Sequence, residues 1–151
     1  MLSVLRWIAV ALSALTLQAA AVNPAALLDP QDAFRLSVKA LDKHTAQVEF
    51  RIAPGYYLYR DRFRFESESG KPIADAELPS GKVKEDQFFG RTQTYRDRVT
   101  IRVPLSDADL ARSRVRLKVI SQGCADIGVC YVPQEQWVEI KLDRASRRSP
   151  P

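Results

Sequence analysis

The chain has 151 residues, room for one domain of ordinary size, and its 46% hydrophobic and 27% charged residues are a globular rather than a disordered balance. Lys and Arg (23) outnumber Asp and Glu (18) for a net charge of +5, but the signs alternate, as in Arg60-Asp61-Arg62, Lys84-Glu85-Asp86 and Arg96-Asp97-Arg98. A nucleic-acid binder gathers its cations into one stripe or arm, so none is expected as partner. Two cysteines and one histidine exclude a four-ligand Cys/His zinc site, and no GxGxxG or GxxxxGK[ST] phosphate loop is present, so no metal or cofactor is expected.

Residues 1–21 read as a secretory signal peptide. Arg6 is the only charge of a short n-region, an apolar run extends from Trp7 to Leu17, and Ala19-Ala20-Ala21 offers the small residues of a cleavage site. The run is short of the roughly 20 residues that span a bilayer, and no later stretch reaches that length, so the exported chain is expected to be soluble and not membrane-spanning. Export places its cysteines where disulfides form and persist, in bacteria the periplasm.

The rest of the chain shows repeated period-two alternation. Phe34, Leu36 and Val38 alternate with polar residues, then Val48, Phe50 and Ile52, then Val99, Ile101 and Val103, then Val115, Leu117 and Val119. Trp137 and Val138 through Leu142 suggest a closing strand. Turn signals separate them at Asp42-Lys43-His44, Pro54-Gly55, Glu68 to Pro72, Pro79-Ser80-Gly81 and Ser106 to Asp109. The only helical prospect is one turn between Leu105 and Arg114. Residues 22–143 are therefore expected to form one all-β domain, an immunoglobulin-like antiparallel β-sandwich, with 144–151 as a basic, proline-ended tail.

Cys124 and Cys130 are six apart with no tryptophan between them, so they cannot be the cross-core staple of antibody domains. A bridge between them would close a tight loop, for which Gly123 and Gly128 offer backbone freedom, and loop entropy assigns it only about 2 kcal/mol. Spacing alone leaves an inert local staple and a redox pair both open. A thioredoxin fold is excluded, because the pair is not Cys-x-x-Cys and no βαβ pattern surrounds it. His44 reads as a surface turn residue, Tyr56, Tyr57 and Tyr59 as strand residues packed on a sheet, and Phe88-Phe89 as core or turn anchors. Glu85 and Asp86 are strand neighbours that point to opposite faces, which argues against a glycosidase carboxylate pair.

Gly123-Cys124-Ala125-Asp126, Gly128, Cys130-Tyr131 and Pro133 together resemble the active-site segment of the N-terminal periplasmic domain of the thiol:disulfide interchange protein DsbD family. Three further blocks fit in the same order: Gly55-Tyr56-Tyr57-Leu58-Tyr59-Arg60 is similar to its tyrosine-rich strand, Glu85 to Gly90 to its cap loop, and Tyr95-Arg96-Asp97-Arg98 to the segment after the cap. The resemblance runs from about Pro30 to Leu142. It implies a thiol:disulfide oxidoreductase, an electron relay working through a reversible Cys124–Cys130 disulfide. Its implied partners are thioredoxin-fold proteins, such as disulfide isomerases and the cytochrome c maturation reductant, and a membrane electron donor. By position, Cys130 would form the mixed disulfide and Cys124 would be the more buried resolving cysteine. Phe88 would shield the pair within a cap of Asp86, Gln87, Phe89 and Gly90, while Tyr57 and Tyr59 line the site and Asp126 sits inside the cysteine loop.

The sequence departs from the family at Gln87, where an acidic residue stands in the member compared, and it is expected to work without the family's transmembrane and C-terminal thioredoxin-like domains. The expectation is a stand-alone chain served by a separate membrane protein or a changed electron source. Asp86 or Asp126 beside the thiols is expected to raise their pKa, with no helix N-terminus to lower it. Two other classes remain: a periplasmic binding or chaperone-like module with a purely structural bridge, and a cationic module for an anionic envelope polymer or membrane surface, suggested by the net charge and the tail from Arg144 to Arg148.

Overall fold

A computed structural model of the chain describes residues 27–111 and 114–141. The expected signal peptide, the basic tail and Leu142 lie outside the described residues. One helical turn, α1 (Pro30–Ala33), has proline at its start, where a missing N–H costs nothing, and it leads into β1 (Phe34–Ala40).

The alternating stretches become strands in the expected places. β1 pairs antiparallel with β2 (Thr45–Ile52), from Phe34↔Ile52 to Ala40↔Ala46, and β2 pairs with β7 (Arg98–Pro104), from Thr45↔Pro104 to Arg51↔Arg98. A second sheet runs in the order β11 (Gln134–Lys141), β8 (Arg114–Ser121), β4 (Arg64–Ser67). The apolar members of each alternation point the same way. Ala46, Val48, Phe50 and Ile52 join Val99, Ile101 and Val103, Val115, Leu117 and Val119, and Phe65 and Ile140 in one buried core. Each large member contributes roughly 1.5–3 kcal/mol by leaving water. The result is the immunoglobulin-like antiparallel β-sandwich expected. The outward positions of the second sheet carry ion pairs, Lys118 to Glu66 at 3.1 Å and to Glu135 at 3.3 Å, and Trp137 faces out beneath the Arg116 guanidinium. The helical prospect is one turn, α2 (Asp107–Leu110), closed by a capping box of Ser106 and Asp109. His44 is exposed in its turn, its N–H donating to Asp42 Oδ1.

A third sheet at one end was not visible as alternation. It runs in the order β10 (Val129–Cys130), β9 (Gly123–Ala125), β3 (Tyr56–Tyr59), β6 (Gly90–Tyr95), β5 (Lys82–Asp86). Its middle strands prolong those of the sandwich. β8 continues past Gln122 into β9, and β3 passes through a short 3₁₀ turn (Arg60–Arg62) and Phe63 into β4. β6 continues into β7 through Arg96 and Asp97, the latter at φ 60° with its carbonyl accepting the Ile52 N–H. Strands that switch sheets at such bends form the corners of a sandwich, and both cysteines lie at this corner.

Candidate functional site

The site begins where β8 turns into β9. A Cβ on Gly123 would run into the Tyr57 carbonyl oxygen and lie 2.6 Å from Phe34 Cζ, so only hydrogen fits there. Gly123 thus supplies room, not the backbone freedom expected of it. That freedom is used at Gly128, at φ 86°, which ends the hairpin turn Asp126-Ile127-Gly128 with its N–H on the Ala125 carbonyl. The hairpin sets Cys130 directly opposite Cys124, their Cα atoms 3.9 Å apart, and the two are disulfide-bonded. Cys124 is completely buried, whereas Cys130, on the edge strand, is only partly so.

β3 has no exposed face. Tyr56 and Leu58 join the main core, and the period of two turns Tyr57 and Tyr59 to the other side, where they cluster with Cys124 and Cys130. Tyr59 Oη lies 3.2 Å from Cys124 Sγ and 3.9 Å from Cys130 Sγ. Disulfide sulfur carries no proton, so the hydroxyl is the donor. Tyr59 Oη is also 3.4 Å from Tyr57 Oη, and Tyr57 donates to Asp86 Oδ2 at 3.1 Å. Lys84 Nζ donates to both Tyr57 Oη, at 2.6 Å, and Asp86 Oδ2, at 2.9 Å. A continuous polar chain therefore joins the buried sulfur to the part-exposed ammonium of Lys84.

The charges within this chain are settled by its geometry. Burial pushes the Asp86 carboxyl up, but hydrogen bonds from Lys84, the Phe88 N–H and Tyr57 outweigh it and hold the group well below the usual carboxylate range. Burial pulls Lys84 down, and its bonds to Tyr57 and Asp86 more than reverse that. Burial, reinforced by Tyr57 and Asp86, pushes the Tyr59 hydroxyl far above its ordinary value, so it stays a neutral donor. Asp126 lies at the hairpin tip in a two-pronged pair with Arg96, at 2.6 and 2.9 Å, which lowers its pKa. Both acids expected to act on the thiols are therefore paired with cations, and the group touching sulfur is a neutral hydroxyl.

The cap segment is the turn of the β5–β6 hairpin, closed by the pair Asp86↔Gly90. Asp86 is buried and Glu85 exposed, as strand neighbours should be. Asp86 Oδ1 accepts the Phe88 N–H at 2.8 Å and the Phe89 N–H at 3.3 Å, which anchors the turn from inside. The Phe89 ring stands edge-on to Tyr59 at 4.8 Å with the Arg62 guanidinium 4.1 Å from its centroid. Phe88 is 50% exposed and stands outside the core. Gln87 and Gly90 are exposed, and Gln87 lines an open cleft of about 600 Å³ with Tyr57, Lys84, Asp86, Asp126 and Gly128.

The structure thus gathers Cys124, Cys130, Tyr57, Tyr59, Asp86 and Phe89, with Gln87 and Asp126 on the cleft wall and Phe88 and Gly90 at the cap surface. Lys84, Arg62 and Arg96 were not anticipated. Lys84 could have been found, since it shares a strand face with Asp86 two residues on, but the arginines reach the site only through the chain's bends. Among the described residues, no group of three or more His, Cys, Asp or Glu could hold a metal ion.

Residues 24–142 match the family model of the N-terminal region of the thiol:disulfide interchange protein DsbD. The chain is 40% identical over 143 residues to the thiol:disulfide interchange protein DsbD of Ralstonia nicotianae, a match covering 93% of this chain and 23% of that protein. To the DsbD of Escherichia coli K12 it is 38% identical over 109 residues, covering 72% of this chain and 19% of the relative. It spans about a fifth to a quarter of the length of these relatives. Among solved structures it is similar to the Neisseria meningitidis DsbD N-terminal domain in the reduced form, with TM-score 0.71 and 31% identity over 81% of this chain and 95% of the other. It is also similar to a chain in the complex between the DsbD N-terminal and PilB N-terminal domains of that organism, with TM-score 0.62 and 31% identity over 76% and 87% of the two chains.

Proposed function

Because the chain belongs to the family of DsbD N-terminal domains, we propose that it relays reducing equivalents in the periplasm through its Cys124–Cys130 pair. The observation that carries this reading is the asymmetry of the two sulfurs: Cys124 is sealed beneath Tyr59, and Cys130 lies on an open sheet edge. In the reduced domain the Cys130 thiolate attacks a partner disulfide, forming a mixed disulfide and releasing the partner's second sulfur as thiolate. Cys124, deprotonated in turn, attacks the Cys130 sulfur, closes the intramolecular disulfide and expels the partner's remaining sulfur. Two electrons pass to the partner, and the two thiol protons end on its thiolates.

Tyr59 serves this exchange as a neutral donor to the Cys124 sulfur, stabilising negative charge as it develops there. Asp86, Tyr57 and Lys84 hold that hydroxyl in place. Phe88, together with Asp86, Gln87, Phe89 and Gly90, forms the lid that a docking partner displaces, and Asp126 braces the hairpin tip through Arg96. The partners on this reading are thioredoxin-fold proteins, disulfide isomerases and the cytochrome c maturation reductant among them, with a membrane protein as electron donor. The solved complex of a related domain with a PilB N-terminal domain supports a protein partner.

The test is capture of the intermediate. Reduced Cys124→Ser protein should form a stable mixed disulfide through Cys130 with an oxidised thioredoxin-fold disulfide isomerase. Capture only by Cys130→Ser would reverse the two roles. No capture by either, with a Cys124–Cys130 reduction potential well below about −300 mV, would mark the bridge as structural.

A further inference from the structure

The third sheet has two unlike faces. One carries the disulfide with Tyr57 and Tyr59, and the other carries Tyr56 of β3 and Tyr131, the residue after Cys130. β9 runs between these two tyrosines, and the Phe34 ring occupies the space that a side chain at Gly123 would need. Phe34 stands edge-on to both of them, 6.0 Å from the Tyr56 ring and 5.6 Å from the Tyr131 ring. The segment just before α1 then ties the two tyrosines together. The Leu28 N–H donates to Tyr56 Oη at 2.9 Å, and the Leu28 carbonyl accepts from Tyr131 Oη at 2.5 Å. Leu28 itself is 42% exposed, so the fold uses its backbone more than its side chain. One residue thus bridges β3 and the end of β10, on the face opposite the disulfide.

We infer that Leu28, Tyr56 and Tyr131 form a clamp that holds Cys130 against Cys124 and favours the disulfide over the dithiol, which makes the reduced pair a stronger electron donor. All three are positioning residues, acting through the backbone of Cys130 rather than on sulfur. The inference rests on the reading of the pair as an electron relay. Its physical basis is slack. Two thiol sulfurs need more room than two bonded ones, so reduction asks the cysteine strands to part. β9 cannot supply that movement, because it is paired to β3 and Gly123 is wedged between the Tyr57 carbonyl and Phe34. β10 can, being an edge strand of two residues. Its start is held by the Gly128 turn and by the Asp126–Arg96 pair at the hairpin tip. Its end is held by Tyr131, whose N–H bonds the Gly123 carbonyl and whose hydroxyl bonds Leu28. Any step of Tyr131 away from β9 stretches the bond to Leu28, and hydrogen bonds weaken steeply as their geometry is lost. The bridge therefore adds more to the stability of the disulfide form than to that of the dithiol.

The experiment reads the equilibrium between the two forms in glutathione buffers. The protein disulfide and two glutathione thiols give the protein dithiol and one glutathione disulfide, so electrons and protons balance. Tyr131→Phe keeps the ring contacts and removes the bond to Leu28. It should lower the equilibrium constant for forming the protein disulfide about fivefold, the factor that one hydrogen bond of ordinary net worth supplies. Tyr56→Phe should give the same shift, as should a chain that starts at Asp29. The double variant Tyr56→Phe/Tyr131→Phe should shift no further, because breaking either end breaks the bridge. Tyr95→Phe is the structural control. It removes a matching bond, from Tyr95 Oη to the Pro79 carbonyl at 2.5 Å, on β6, which lies across β3 from the cysteine strands. That variant should lower Tm and leave the constant unchanged. An unchanged constant in Tyr131→Phe, an equal shift in Tyr95→Phe, or a multiplied shift of about 25-fold in the double variant would each overturn the clamp. These outcomes leave the capture test of the preceding section untouched. A protein without substitutions that stays oxidised at every glutathione ratio would remove the relay reading itself, and the clamp with it.

Discussion

Replacing Asp86 by Asn tests whether the polar chain behind the disulfide is held together by charge. The Asp86 side chain is 1% exposed and accepts from Lys84, Tyr57 and the N–H groups of Phe88 and Phe89. Asn keeps a carbonyl oxygen for the Phe88 N–H, so the turn should persist, but it sets an NH₂ against two donors, the Lys84 ammonium and the Tyr57 hydroxyl. Hydrogen bonds to a charged group are worth about 1.5–3 kcal/mol each. The part-exposed Lys84 regains water, which places the combined loss near 2–3 kcal/mol, or a Tm lower by about 10 °C for a domain of this size. The pH dependence follows from the direction of the shift. The folded carboxyl titrates below its unfolded value of about 3.9, so its contribution is complete above that pH and is lost as pH falls toward the folded value. Urea unfolding of both proteins from pH 7 to pH 2 should therefore show a gap that is constant down to about pH 5 and closes below it. Asp126 and Asp42, also depressed, are common to both proteins and cancel in the difference. A gap unchanged to pH 2, or no gap at pH 7, would refute the reasoning.

Phe88→Ala should cost less than about 1 kcal/mol, because the ring stands outside the core, where loss of a phenylalanine costs roughly 3–5 kcal/mol. The same variant should let small alkylating agents reach the reduced cysteines faster; a large fall in Tm with unchanged thiol reactivity would make the ring a core anchor. Gly123→Ala should destabilise the domain by at least about 3 kcal/mol, since the added methyl meets a backbone carbonyl and the Phe34 ring together. Chemical denaturation measures that loss, and a near-neutral outcome would mean that β9 can shift away from β3.

The sandwich was legible in the sequence because its strands bury one face and wet the other. Val48-Phe50-Ile52 and Val115-Leu117-Val119 display that asymmetry as period-two alternation, and the core residues are those the alternation names. The third sheet escaped the same test for two opposite reasons. β3 is buried on both faces, so Tyr56 to Tyr59 shows no alternation, and β5 carries Lys82, Lys84, Glu85 and Asp86 in five residues and shows no apolar face. Its residues could be singled out only by resemblance to a family, motif by motif.

What the sequence determined by itself was local: the cysteine spacing, the turn glycine at Gly128, the opposite faces of Glu85 and Asp86, and the pairing of Tyr57 with Tyr59 on one face of a strand. What tertiary structure alone decided was which groups reach the sulfur. Asp126 stands inside the cysteine loop and Asp86 in the cap that the resemblance sets over it, and that placement suggested that they act on sulfur. The folded chain instead brings Lys84 to Asp86 from the same strand, and Arg96 to Asp126 across 30 residues. The sulfur is left to the hydroxyl of Tyr59, 65 residues from Cys124 in the chain. Electrostatic effects fall off with distance in space, and distance along the chain carries little of that information once strands cross between sheets.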